Sequence, residues 1–115
     1  MAKILIVDDE PLIAMLVEAW VADMGHEAVG PVHSLAQALS FIEDPLDAAV
    51  VDLTLGAESG VPIAEALAAR GVPFVYATGQ DRGQLDALPR AAGVLLKPYN
   101  FEAFEAAIKG MLPQG

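Results

Sequence analysis

The chain has 115 residues, 55% of them hydrophobic, with 16 Asp and Glu against 6 Lys and Arg, a formal charge of −10 and no Cys. That length fits one domain with a real core, and the apolar content excludes intrinsic disorder. The acidic balance weighs against binding nucleic-acid phosphates or anionic membranes, and the lack of Cys removes disulfides and thiolate zinc sites.

No apolar stretch approaches the ~20 residues of a membrane span. The short apolar run at the N-terminus ends in acids rather than small residues, unlike a signal peptide. A cytoplasmic protein is the simplest expectation.

Two kinds of segment alternate along the chain. Lys3 to Val7 is a β-branched apolar run of strand length. Residues 11–24 read as a helix, opened by Pro11 and stopped by Gly25. "EAVGPV" (27–32) is a second strand, and Ser34 with Gln37 makes a capping box for a helix to about Ile42. "DAAVVDL" (47–53) is the third strand, "VPIAEALAAR" (61–70) a helix stopped by Gly71, and "VPFVYAT" (72–78) the fourth strand. "DRGQLDALP" (81–89) is a poor helix, with Gly83 inside and Pro89 at its end. "AGVLLKP" (92–98) is the fifth strand, and Asn100 caps a last helix, "FEAFEAAIKGM".

Repeated β-α units with near-continuous apolar strands predict a five-stranded parallel sheet with helices on both faces, a flavodoxin-like doubly wound α/β fold. No linker or repeat divides the chain, so 1–115 is expected to be one domain with no output domain.

In such sheets ligands sit beyond the carboxyl ends of the strands. Asp8 and Asp9 follow the first strand, Asp52 ends the third, Thr78 the fourth, and Lys97-Pro98 the fifth. Clustered carboxylates raise one another's pKa, and a hard divalent cation such as Mg²⁺ relieves that repulsion. A carboxylate beside Mg²⁺ can act as a nucleophile toward phosphorus, with a lysine ammonium and a threonine hydroxyl placed for the phosphoryl oxygens.

This order of motifs, DD, D, T and KP at successive strand ends, resembles the receiver domain of bacterial two-component response regulators, over the whole chain. "VDLTLGAESG" keeps that family's Gly at the eighth position after the phosphorylated Asp, here Gly60. The resemblance implies Asp52 as phosphoacceptor and Asp8, Asp9, Asp52 and the carbonyl of Thr54 as Mg²⁺ ligands. It implies Thr78 and Lys97 as the switch hydroxyl and the site lysine. The expected partner is a sensor histidine kinase or a histidine phosphotransfer protein. Signalling would then run through protein–protein contacts or an onward phosphorelay, without turnover-enzyme activity and without nucleic acid or membrane as partner.

The sequence also departs from the common receiver pattern. Gly56 stands where many receivers have Pro, and Val94 where many have the aromatic that moves with the threonine. "PFVYATGQ" (73–80) is instead similar to the Phe-Ala-Thr-Gly-Tyr motif of the FATGUY receivers, often stand-alone proteins of alphaproteobacteria acting in stress signalling with atypical histidine kinases. Here Tyr76 replaces the motif's Phe and Gln80 its Tyr. Tyr76 and Tyr99 are therefore switch candidates, with plain packing as the alternative for both.

Plainer readings exist for single residues. Asp8 and Asp9 could cap the helix that begins at Pro11, Asp52 could be a turn residue, and Thr78-Gly79 is also a turn signal. Trp20 is expected in the core. His26 and His33 fall in turns and receive no role. Two other functions stay open: a receiver-like interaction scaffold that is never phosphorylated, and an Asp-nucleophile phosphatase. The latter lacks the usual D-x-D pair, because Leu53 and Thr54 follow Asp52.

Overall fold

Apolar strand segments separated by capped helices assemble as the pattern predicts. The computed structural model describes residues 2–55, 58–79 and 89–112. In chain order these form β1 (Lys3–Val7), α1 (Pro11–Asp23), β2 (Glu27–Val32), α2 (Leu35–Ile42), β3 (Ala48–Asp52), β4 (Thr54–Leu55), β5 (Glu58–Ser59), α3 (Val61–Ala69), β6 (Phe74–Thr78), β7 (Gly93–Leu96) and α4 (Phe101–Met111). Residues 81–88 of the weak helix expected over 81–89 lie outside the described ones, as do Gly56 and Gln80.

The main sheet is parallel, with strand order β2-β1-β3-β6-β7. Its central strands β3 and β6 are buried at every residue, which is why they read as unbroken apolar runs. Helices cover both faces. Leu5, Val7, Val51 and Tyr76 pack with Ala38 and Ile42 of α2 and Ile63 and Leu67 of α3. Ile4, Ile6, Val50 and Val75 pack with Val17 and Val21 of α1 and Phe104 and Ile108 of α4. Alternate residues of each strand therefore serve opposite layers.

Local signals in the sequence set the boundaries. Pro11 opens α1, and Gly25 and Gly71 turn the chain at φ +82° and +72° after α1 and α3. Ser34 Oγ accepts the Gln37 N–H at 3.2 Å, and Asn100 Oδ1 accepts the Ala103 N–H at 2.8 Å.

Three features depart from the expected outline. β4 and β5 form a two-stranded antiparallel hairpin in the β3–α3 connection, too short to register as alternation. The register between β1 and β2 slips between Leu5 and Val7, where Gly30 and Pro31 together stand opposite Ile6. Gly30 sits at φ +95°, and a Cβ there would lie 3.2 Å from the Ile6 carbonyl oxygen, so only glycine fits this bulge. Trp20, expected in the core, is half-buried: it lies over the aromatic rings of Tyr99, Phe101 and Phe104 at the rim of the α1–α4 layer.

Gly60 has an ordinary φ of −80°, so its requirement is steric. A Cβ there would collide with the Asp52 carbonyl oxygen and lie 3.1 Å from the Asp52 carbonyl carbon and 3.3 Å from Leu53 Cα. All three atoms are backbone. Gly60→Ala must therefore displace the end of β3, at an expected cost of about 1–3 kcal/mol. Urea unfolding would measure it, and a change below about 0.5 kcal/mol would contradict this packing account.

Candidate functional site: an acid cluster at the switch point of the sheet

The strand order reverses direction between β1 and β3, which opens a crevice at their carboxyl ends. Parallel pairing of Val7 with Val51 places Asp8 beside Asp52. Both are almost fully buried, at 3% and 4% exposure. Asp9 and Glu10 follow at the mouth. One carboxylate oxygen from each of Asp8, Asp9, Glu10 and Asp52 lies within 4.8 Å of the others. A cluster of that size, all of hard oxygen donors, could hold a divalent cation.

Lys97 reaches into this cluster from beyond β7. Its Nζ donates to Asp52 Oδ2 at 3.0 Å and to Glu10 Oε1 at 3.0 Å, and stands 3.5 Å from Asp8 Oδ2. The Lys97 N–H donates to the Thr78 carbonyl at 2.9 Å, so the backbone itself ties the lysine to the end of β6. Thr78 is also buried. Its neighbour Ala77 pairs with Asp52 in register, which sets Thr78 one residue further along the same edge. Thr54 leaves the sheet two residues after Asp52 and opens β4.

The electrostatics follow from this crowding. Burial is the largest influence on Asp8 and raises its pKa; the Glu10 N–H and the Lys97 charge pull the other way without cancelling it. Burial alone would lower the pKa of Lys97. Its hydrogen bonds to Asp52 and Glu10 and the charges of Asp8 and Asp52 outweigh that, so the ammonium is held well above its ordinary value. Burial pushes the Tyr99 phenol up to about 12, with the Asp8 charge adding to the effect. Among the described residues, the Lys97 ammonium thus meets three carboxylates of a four-acid cluster.

For Asp8, the alternative role as a cap of α1 is not what this geometry provides. Glu10 occupies the N-cap position of α1, and its side chain makes no capping hydrogen bond. Asp8 Oδ1 accepts the Glu10 N–H at 2.9 Å instead, a local turn that aims the carboxylate across the crevice. Asp8 is held from β2 as well: its N–H donates to the Val32 carbonyl at 3.1 Å, and His33 Nδ1 lies 2.8 Å from its carbonyl oxygen.

Two site residues were not singled out from sequence. Glu10 was visible as a third acid, but its partner Lys97 lies 87 positions away. His33 carried no motif at all; only the capping box beside it marked its loop as fixed.

The two tyrosines sit differently. Tyr76 is buried against Phe74, edge-on at 5.4 Å, and opposite Val94 on β7. Its hydroxyl donates to the Pro89 carbonyl at 2.6 Å. Tyr99 is half-buried and stacked on Phe104 at 6.4 Å. It also walls a groove of about 160 Å³ with Ile13, Leu16, Val17 and Trp20, next to Lys97.

Residues 4–109 match the model of the response regulator receiver domain. The chain belongs to the response regulator receiver family. Receiver domains are signalling modules, and the architecture above is theirs. Among solved structures, SdrG from Sphingomonas melonis Fr1 is 42% identical over 96% of both chains, with a TM-score of 0.82. The response regulator PhyR from Brucella abortus is 29% identical, with a TM-score of 0.85 over 96% of this receiver and 47% of that chain. The curated phyllosphere-induced regulator PhyR of Methylorubrum extorquens is 29% identical over 115 residues, and the match spans 96% of this chain but 43% of that protein. Among the described residues, no helix of this receiver is long and apolar enough to cross a membrane.

Proposed function

We propose that this receiver accepts a phosphoryl group on Asp52 with Mg²⁺ bound in the acid cluster. The observation that carries the reading is the environment of Asp52: a buried carboxylate at the switch point, with Lys97 on one oxygen and three further acids within 4.8 Å. Asp8, Asp9, Asp52 and the Thr54 carbonyl would hold the cation, which would offset the burial that raises the pKa of Asp8 and disfavours its charged form. Bound there, Mg²⁺ supplies neutralisation for the charge on the phosphoryl oxygens.

The protein's own residues do the positioning. An Asp52 oxygen attacks phosphorus as the bond to a phosphohistidine nitrogen breaks. Lys97, already held at Asp52, is placed to follow the phosphoryl oxygens as a mobile point charge. The Thr78 hydroxyl, from a residue buried at the same edge, would donate to them. Glu10 holds Lys97 from the solvent side. The chemistry asked of the protein is orientation and charge balance. Tyr76 stands on the same strand face as Thr78 and reaches Pro89, so it offers a link from the site to the chain leading into β7.

Intact-mass analysis with acetyl phosphate and Mg²⁺ tests this. One added phosphoryl group is expected on the parent and none on Asp52→Asn. Equal labelling of both would sink the assignment.

The donor is read as a histidine kinase or histidine phosphotransfer protein, with output through protein contacts or an onward relay. The face beside the site supports a protein partner. Leu12, Met15 and Leu16 of α1 are 82%, 64% and 50% exposed, three large apolar side chains on adjacent turns of the kind that marks a contact surface. Leu12→Glu with Met15→Glu is expected to slow transfer from a phosphohistidine protein about 10-fold or more, while labelling by acetyl phosphate stays at the parent rate. A parallel loss with both donors would place the patch's effect in the site and not in docking.

A further inference from the structure

The β2–α2 loop holds Asp8 by its main chain on both sides. Val32 accepts the Asp8 N–H at 3.1 Å, and the His33 ring stands 2.8 Å from the Asp8 carbonyl oxygen. A carbonyl can only accept, so His33 must carry its proton on Nδ1. The backbone that carries the ring is held in turn. The His33 N–H donates to Gln37 Oε1 at 3.2 Å, and the Gln37 N–H donates to Ser34 Oγ at 3.2 Å. The capping box of α2 therefore does more than start a helix: one of its side chains reaches back to fix the residue that grips Asp8. Asp8 Oδ1 is meanwhile committed to the Glu10 N–H. The carboxylate thus takes its direction from a peptide unit pinned by His33.

We infer that His33 is a positioning residue for the cation site, clamping the Asp8 carbonyl through Nδ1–H so that the Asp8 carboxylate is aimed into the acid cluster. This rests on the reading that the cluster holds Mg²⁺. Partners that orient metal ligands commonly matter for affinity as much as a weak ligand does. His33 lies at the surface, so its ring is replaceable without opening the core.

Two measurements test it on the full chain. Long-range ¹H–¹⁵N correlation at about pH 8, where an ordinary imidazole is neutral, is expected to show His33 as the Nδ1–H tautomer. Mg²⁺ titration followed by amide shifts is expected to show binding about 10-fold weaker in His33→Ala, and within about twofold of the parent in His33→Asn. The Asn amide nitrogen occupies the place of Nδ1 and can donate the same hydrogen bond, so a purely structural role for the imidazole would not give this rescue. An Nε2–H tautomer, or parent-like Mg²⁺ affinity in His33→Ala, overturns the assignment. A parent that binds no Mg²⁺, or an Asp9→Asn variant that binds it unchanged, overturns the cation reading itself and this inference with it.

Discussion

Asp8→Asn is expected to make the metal-free protein more stable, by about 1 kcal/mol, and to remove the stabilisation that Mg²⁺ gives the parent. Asp8 is 3% exposed, and burial is the largest influence on its raised pKa. A carboxyl with a raised folded-state pKa binds its proton more tightly when folded than when unfolded. Stability therefore falls as pH rises from the ordinary Asp value through the raised one. Above that window the ionised group opposes folding. Asn keeps the oxygen that accepts the Glu10 N–H and removes the buried charge, at the cost of exchanging Oδ2, 3.5 Å from the Lys97 ammonium, for an amide NH2. In the parent, Mg²⁺ at tenfold its dissociation constant adds about 1.4 kcal/mol; in the variant that gain should vanish. Thermal unfolding in EDTA and in Mg²⁺ reads both effects. A less stable variant in EDTA would show that Asp8 serves the fold rather than the site.

Lys97→Met should act in the opposite direction and more strongly. It leaves Asp8, Asp52 and Glu10 without their shared counter-charge. The expected loss is about 2–3 kcal/mol at neutral pH, somewhat less than for a fully buried pair because Glu10 is exposed to solvent. Lys97's pKa is raised, so its contribution is fully present below the ordinary lysine value and disappears only as pH climbs through the raised one in the alkaline range. The variant's deficit should shrink on acidification, as Asp8 takes up a proton, and on addition of Mg²⁺, which restores positive charge. Phosphorylation by acetyl phosphate should slow by about 100-fold, the usual scale for losing one preorganised charge-stabilising group. Equal stability of variant and parent in EDTA at neutral pH would mean that the three contacts carry no net energy.

Opposite stability effects from two residues 3.5 Å apart are what a site built for a ligand produces. The fold tolerates the excess negative charge because burial elsewhere is sufficient. The same charge would attract the proposed cation. Local rules fail here for a functional reason.

The outline of the fold was legible because it rests on short-range chemistry. Pro11, Gly25, Gly71, the Ser34–Gln37 box and Asn100 each satisfy or end a helix within a few residues. The buried runs of β3 and β6 follow directly from a sheet covered on both faces. Asp8, Asp9, Asp52, Thr78 and Lys97 were legible as a group because parallel topology alone brings strand ends to one edge. What escaped depended on contacts between distant segments. The grip of His33 on Asp8 joins residues 25 apart through one ring nitrogen and a main-chain oxygen, and no periodicity encodes that. Glu10's bond to Lys97 depends on a rotamer. The β4–β5 hairpin has two residues per strand, below the length at which alternation can be read. Trp20 lies at the rim rather than in the core because α1, though apolar, leaves Leu12, Met15 and Leu16 in solvent.

The central claim is that Asp52 carries the phosphoryl group, and reduction by borohydride tests it most directly. An acyl phosphate on an aspartate is reduced to homoserine, so the modified position can be read by peptide sequencing after treatment with acetyl phosphate and Mg²⁺. Homoserine is expected at position 52 in the Mg²⁺ sample and an intact Asp52 in EDTA. Homoserine at position 8 or 9, or at none of the three while the protein still binds Mg²⁺ and gains the mass of a phosphoryl group, would contradict it.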